Sequence, residues 1–73
     1  MDELTRQVLA LFEEMGLESL DLHTLFEAGG NDPARREQVV DVVARLVRDG
    51  WLEERGNDFY ARTAAGRAAL LNY

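Results

Sequence analysis

The stretch RLVRDGWLEERGNDFYARTAAG, residues 45–66, holds the end of one helix, two short strands and the start of another helix. Asp49-Gly50 is a stop signal for the helical run before it. Trp51-Leu52-Glu53-Glu54-Arg55 and Phe59-Tyr60-Ala61-Arg62 have strand character, and Gly56-Asn57 suits a two-residue hairpin turn between them. That register sets Arg55 opposite Asp58, Glu53 opposite Tyr60 and Leu52 opposite Ala61. A longer loop including Asp58 is the alternative, and it would slip the register. Thr63 is placed to cap a last helix, Ala64 to Leu71, whose Leu70 and Leu71 are expected to close the core.

Upstream, Leu4, Val8, Leu11, Phe12 and Met15 recur at helical spacing and predict an amphipathic helix over residues 2–15. Gly16 ends it, with Leu17 folding back on the last turn. Leu17 to Leu20 has room only for a single extended bridge. Asp21 can cap a second helix that buries Leu22, Leu25 and Phe26, and Gly29-Gly30-Asn31 breaks it. Asp32 and Pro33 open a third helix, residues 33–49, with Val39, Val42, Val43, Leu46 and Val47 on its apolar face. The whole is an α+β chain, mostly α, forming a single domain over residues 1–73.

Composition narrows the function. A chain of 73 residues buries only about 60% of its unfolded surface, so few side chains are free from packing. There is no cysteine, which excludes disulfides and thiol chemistry and fits a reducing cytoplasm. No apolar run is long enough to span a bilayer, and Met1-Asp2-Glu3 does not open a signal peptide. The net charge is −6, but it is unevenly spread. Residues 1–32 hold eight acids against Arg6 alone, whereas residues 33–73 hold seven arginines against six acids. An anionic ligand would meet the second half.

Leu46-Val47-x-x-Gly50-Trp51-Leu52, the hairpin, and Thr63-x-x-Gly66-x-x-x-Leu70 resemble the recognition-helix end, wing and following helix of winged helix-turn-helix regulators of the MarR-like and PadR-like kind. The resemblance covers nearly the whole chain. It implies a three-helix core, a β-hairpin wing and a short C-terminal helix. It also implies double-stranded DNA as partner, a role in transcription regulation, and a possible homodimer. Three features depart from the pattern. Arg62 stands where an aliphatic residue usually precedes the Thr, the wing carries Glu53 and Glu54 where relatives are basic, and the dimerising helices of MarR-like proteins have no counterpart.

On this reading the third helix enters the major groove. Gln38 is suited to adenine, Arg35 to guanine, and Arg45 and Arg48 to phosphates. Arg55 near the tip of the wing and Arg62 at its base are the wing's candidate DNA contacts, toward the minor groove or the backbone. Glu37 and Asp41 lie on the same surface, and Arg45 can neutralise Asp41 through an i,i+4 pair. The plain alternative is a solvated face of mixed charge, with Arg55 closing the hairpin against Asp58. Arg36 points nearer the core and is placed to tie the helix start to the first or second helix. The second function class is a protein-interaction module that does not bind DNA. It would present the acidic first half, or Trp51 and Tyr60 on the hairpin and Leu71 and Tyr73 at the C-terminus. Trp51 is expected to be at least half buried, and Tyr60 stays open between core and surface. His23 stands alone, Ser19 lacks a base, and Gly29-Gly30-Asn31 lacks a phosphate-loop lysine, so no enzyme, metal or cofactor is expected.

Overall fold

The computed structural model describes residues 1–72. Helix α1, Glu3–Met15, is capped by Asp2, whose carboxylate accepts the Thr5 N–H at 2.8 Å, and ends at Gly16 with φ +66°. Strand β1, Ser19–Asp21, leads into α2, Leu22–Leu25, which the Asp21 carboxylate caps at the Thr24 N–H. A 3₁₀ turn over Phe26–Gly29 extends α2. A second 3₁₀ turn, Pro33–Arg35, is capped by Asp32 and opens α3, Arg36–Arg48. The third helix is therefore α-helical three residues later than expected, because its proline-led first turn winds tighter. Strands β2, Leu52–Gly56, and β3, Phe59–Arg62, precede α4, Ala64–Leu71. The three strands form one antiparallel sheet in the order β1-β3-β2.

The hairpin register differs from the expected one. Leu52 pairs with Arg62, Glu53 with Ala61, Glu54 with Tyr60 and Gly56 with Phe59, leaving Arg55 as an irregularity in β2. The turn is Asn57-Asp58, not Gly56-Asn57, with left-handed φ values of +52° and +62°. Both central residues of a type I′ turn need positive φ, which Asn and Asp tolerate better than other side chains. The slip has a tertiary cause. It sets Leu52 and Leu20 on the sheet face that meets the helices, and both are buried. The Leu22 N–H, donating to the Asp58 carbonyl at 2.8 Å, ties the turn to α2.

Asp58→Gly is expected to stabilise the protein slightly. Left-handed backbone costs an L-residue about 1–2 kcal/mol, against about 0.5–1 kcal/mol for the extra chain entropy of glycine. A small rise in the urea midpoint, at unchanged slope, is the expected reading.

The core gathers Val8, Leu9, Leu11 and Phe12 of α1, Leu20, Leu25, Leu52, and Val39, Val42, Val43 and Leu46 of α3. Leu4, Leu22, Phe26, Val47, Trp51, Tyr60 and Leu70 pack around its edge. Leu9 joins because α1 is contacted from several sides, by the Phe26–Gly29 turn, α3 and α4. Met15, Leu17 and Leu71 do not join: all three are exposed, Leu71 to 73%. Only Leu70 of the terminal pair turns inward.

The junction read first in the sequence is a clamp. Thr63 Oγ1 donates to the Gly50 carbonyl at 2.7 Å and accepts the Gly66 N–H at 3.0 Å. The Thr63 N–H donates to the Trp51 carbonyl. One residue, through its side chain and its N–H, thus joins the end of α3, the entry to β2 and the start of α4. Gly66 is buried against the Trp51 backbone, where a Cβ would overlap the carbonyl oxygen and lie 3.0 Å from its carbon.

Candidate functional site

The outer face of α3 carries Glu37, Gln38, Asp41 and Arg48, all exposed. Arg35 is half-buried at its foot. Arg36 is exposed and lies over the Phe26 ring at 5.3 Å, tying the helix start to the turn after α2. Arg45 does not serve Asp41. It reaches α1, where Nη2 donates to Thr5 Oγ1 at 2.6 Å and lies 3.5 Å from Asp2. Arg48 is the most open, its side chain 74% exposed and 4.0 Å from Asp49. Arg55 lies 3.5 Å from Glu53, so the expected Arg55–Asp58 closure gives way to a pair within β2.

Arg62 is the main correction. A phosphate contact must reach solvent, whereas the Arg62 side chain is 3% exposed. Its Nη1 lies 3.2 Å from Glu13 and its Nη2 3.5 Å from Glu18. The guanidinium sits 5.9 Å from the centre of the Phe12 ring, and Nε and Nη1 form no hydrogen bond. Arg67 reaches the same Glu13 oxygen at 3.5 Å. The arginine thus fills an aliphatic slot with its stem and delivers its charge to carboxylates at the edge.

The alternative surface is also redistributed. Trp51 and Tyr60 pack on the core margin and are half-buried. Burial raises the Tyr60 phenol above its ordinary 10.0, with Glu54 and Asp58 adding to the effect. Leu71 is exposed, and Tyr73 lies outside the described residues. The exposed aromatic side chain of the hairpin is Phe59, which alternation places on the opposite side of β3 from Tyr60. A groove of about 170 Å³ between α1 and the Phe26–Gly29 turn is lined by Gln7, Ala10, Leu11, Glu14 and Glu27 among others. It is below the few hundred cubic ångströms of an ordinary ligand site. Among the described residues no three His, Cys, Asp or Glu side chains are grouped to hold a metal, and no helix is long and apolar enough to cross a membrane.

The acidic caps have a pH signature. Asp2 is held below its ordinary 3.8 first by the Thr5 side chain, then by the Thr5 N–H, with Arg45 adding a smaller pull. Asp21 is lowered in the same way by the side chain and backbone of Thr24. A folded-state value below the unfolded one gives stability that is present above the unfolded value and lost as pH falls through the folded one. The stability gap between wild type and an Asp2→Ala/Asp21→Ala double variant is therefore expected to be constant from neutral pH to about pH 5 and to narrow below about pH 4. Thermal melts across that range check it.

Comparison with known protein families, curated proteins and solved structures found no match.

Proposed function

We propose that the chain is a winged-helix interaction module whose partner is a protein, with α3 in the recognition-helix position and the β2–β3 hairpin as the wing. The order of elements and the Thr63–Gly66 clamp support the architecture. The disposition of the arginines supports the function. Arg62 is enclosed by Glu13 and Glu18, Arg45 is turned to Thr5 and Asp2, and Arg55 lies on Glu53. The exposed pairs of Arg45 and Arg55 are weak individually, at about 0–1 kcal/mol. Their consequence is electrostatic: Arg45, Arg55 and Arg62 each sit beside an acid, within a chain of net charge −6, which weakens the pull of this side on a phosphate backbone.

A second reading keeps DNA as the partner through α3 alone. It is favoured by Arg35 and Arg36, which have no ion pair among those described, and by the exposure of Gln38 and Arg48. Electrophoresis with a random-sequence duplex at about 50 mM salt separates the two. The module gives no retarded band. A band whose affinity falls with salt at a log–log slope of about −3, as three phosphate contacts would give, would establish DNA binding and overturn the first reading.

A further inference from the structure

We propose that the outer face of the sheet, centred on Phe59 and flanked by Asp21 and Glu53, docks a basic segment of a partner protein. A lysine or arginine of that segment lies across the Phe59 ring with its charge toward Asp21, the carboxylate paired beside it. The inference rests on the interaction-module reading and names the chemistry of the partner.

The register builds the face. Leu20, Leu52, Tyr60 and Arg62, buried or half-buried, share the side turned to the helices, with Glu54 exposed at its margin. The alternate positions, Ser19, Asp21, Glu53, Phe59 and Ala61, share the other side. Ala61 sits between Ser19 and Glu53 on the central strand and is shaded by them, 7% exposed. Phe59 is 43% exposed. Its neighbour on β1 is Asp21 and its neighbour on β2 is Gly56, which has no side chain to cover the ring. An aromatic left open on one flank beside a carboxylate offers a cation both a π face and a counter-charge.

Charge selects the occupant. Asp21 uses one oxygen on the Thr24 N–H and keeps its negative charge. Glu53 is exposed on the same side of β2, and Asp58 stands in the adjoining turn. Arg55, the outward cation of these strands, is already 3.5 Å from Glu53. The face therefore repels a phosphate backbone or an acidic protein. A second copy is disfavoured by its own net charge of −6. A basic partner segment carrying apolar residues complements both the ring and the carboxylates.

The test is an NMR titration of the full chain, ¹⁵N-labelled, with a short peptide alternating lysine and leucine and with its glutamate–leucine counterpart. The lysine peptide is expected to give saturable shifts centred on the amides of Ser19, Asp21, Glu53, Phe59 and Ala61. The glutamate peptide is expected to give none. Phe59→Ser, at an exposed position, is expected to keep the rest of the spectrum and weaken binding about fivefold. Glu53→Gln should weaken it less. Shifts spread over all acidic surfaces, or unchanged affinity in Phe59→Ser, would overturn the proposal. Self-association that rises with concentration and disappears in Phe59→Ser would assign the face to a second copy and overturn it equally. Retardation of duplex DNA alongside a peptide footprint here would sink the functional reading and leave the face. No retardation and no footprint would sink the face alone.

Discussion

Gly66→Ala is expected to destabilise the protein by about 3 kcal/mol, the upper range for forcing an extra methyl group into packed structure. Helix propensity argues the other way. In an open helix the same change stabilises by about 1 kcal/mol, because alanine loses less backbone freedom. Here the first turn of α4 lies against the Trp51 backbone, and the added Cβ would overlap the carbonyl that accepts the Thr63 N–H. A backbone atom held in that hydrogen bond cannot swing aside as a flexible side chain would. The steric effect wins, and a domain this small has a reserve of only about 3–5 kcal/mol. Much of the Gly66→Ala population should be unfolded at ambient temperature, as read from urea melts followed by circular dichroism. An alanine variant as stable as wild type would mean that α4 does not dock on Trp51 as described.

Arg62 gives the second large effect, and two substitutions separate its causes. Arg62→Ala removes a buried stem as well as the guanidinium that lies over Phe12 and faces Glu13 and Glu18, and is expected to cost about 2–3 kcal/mol. Full loss of a buried ion pair costs about 3–5 kcal/mol. Less is expected here, because the side chains of Glu13 and Glu18 are 45% and 70% exposed and water can solvate them. Arg62→Met restores most of the volume and removes a guanidinium with two nitrogens lacking hydrogen bonds. It is expected to stay within about 1 kcal/mol of wild type. Equal losses for the two variants would show that charge, not packing, holds this position.

The parts of the fold that depend on neighbours in sequence were legible there. Asp21, Asp32 and Thr63 cap the turns they precede, because each bond spans two or three residues. The apolar face of α3 follows from its spacing, and Val39, Val42, Val43 and Leu46 are buried as expected. The register of the hairpin was not legible, since Gly56-Asn57 and Asn57-Asp58 both make acceptable turns. The choice was made by Leu20 and Leu52 meeting the core from strands more than thirty residues apart. That slip turned Arg62 inward.

The candidate site divides along the same line. Gln38 and Arg48 lie exposed, a matter of helix phase alone. The partners of Arg45 and Arg62 are Thr5 and Glu18, separated from them by 40 and 44 residues. A helical wheel offers Arg45 only Asp41 and Asp49 of its own helix, and nothing local marks Glu18 as a neighbour of Arg62. Nothing local marks Phe59 as the exposed aromatic of the hairpin, because Tyr60 and Trp51 carry the polar groups. Which of two adjacent aromatics faces water depended on the same one-residue slip.

The choice of a protein over DNA as partner rests on Arg45, Arg55 and Arg62 being committed within the molecule. The side-chain Nε–Hε NMR signals of Arg35, Arg45, Arg48, Arg55 and Arg62, followed while a random-sequence DNA duplex is added at low salt, report on this directly. The structure predicts a protected, slowly exchanging Arg62 signal and no saturable change in any of the five. Saturable shifts of Arg35 and Arg48, with Arg62 exchanging as fast as a solvated arginine, would contradict it.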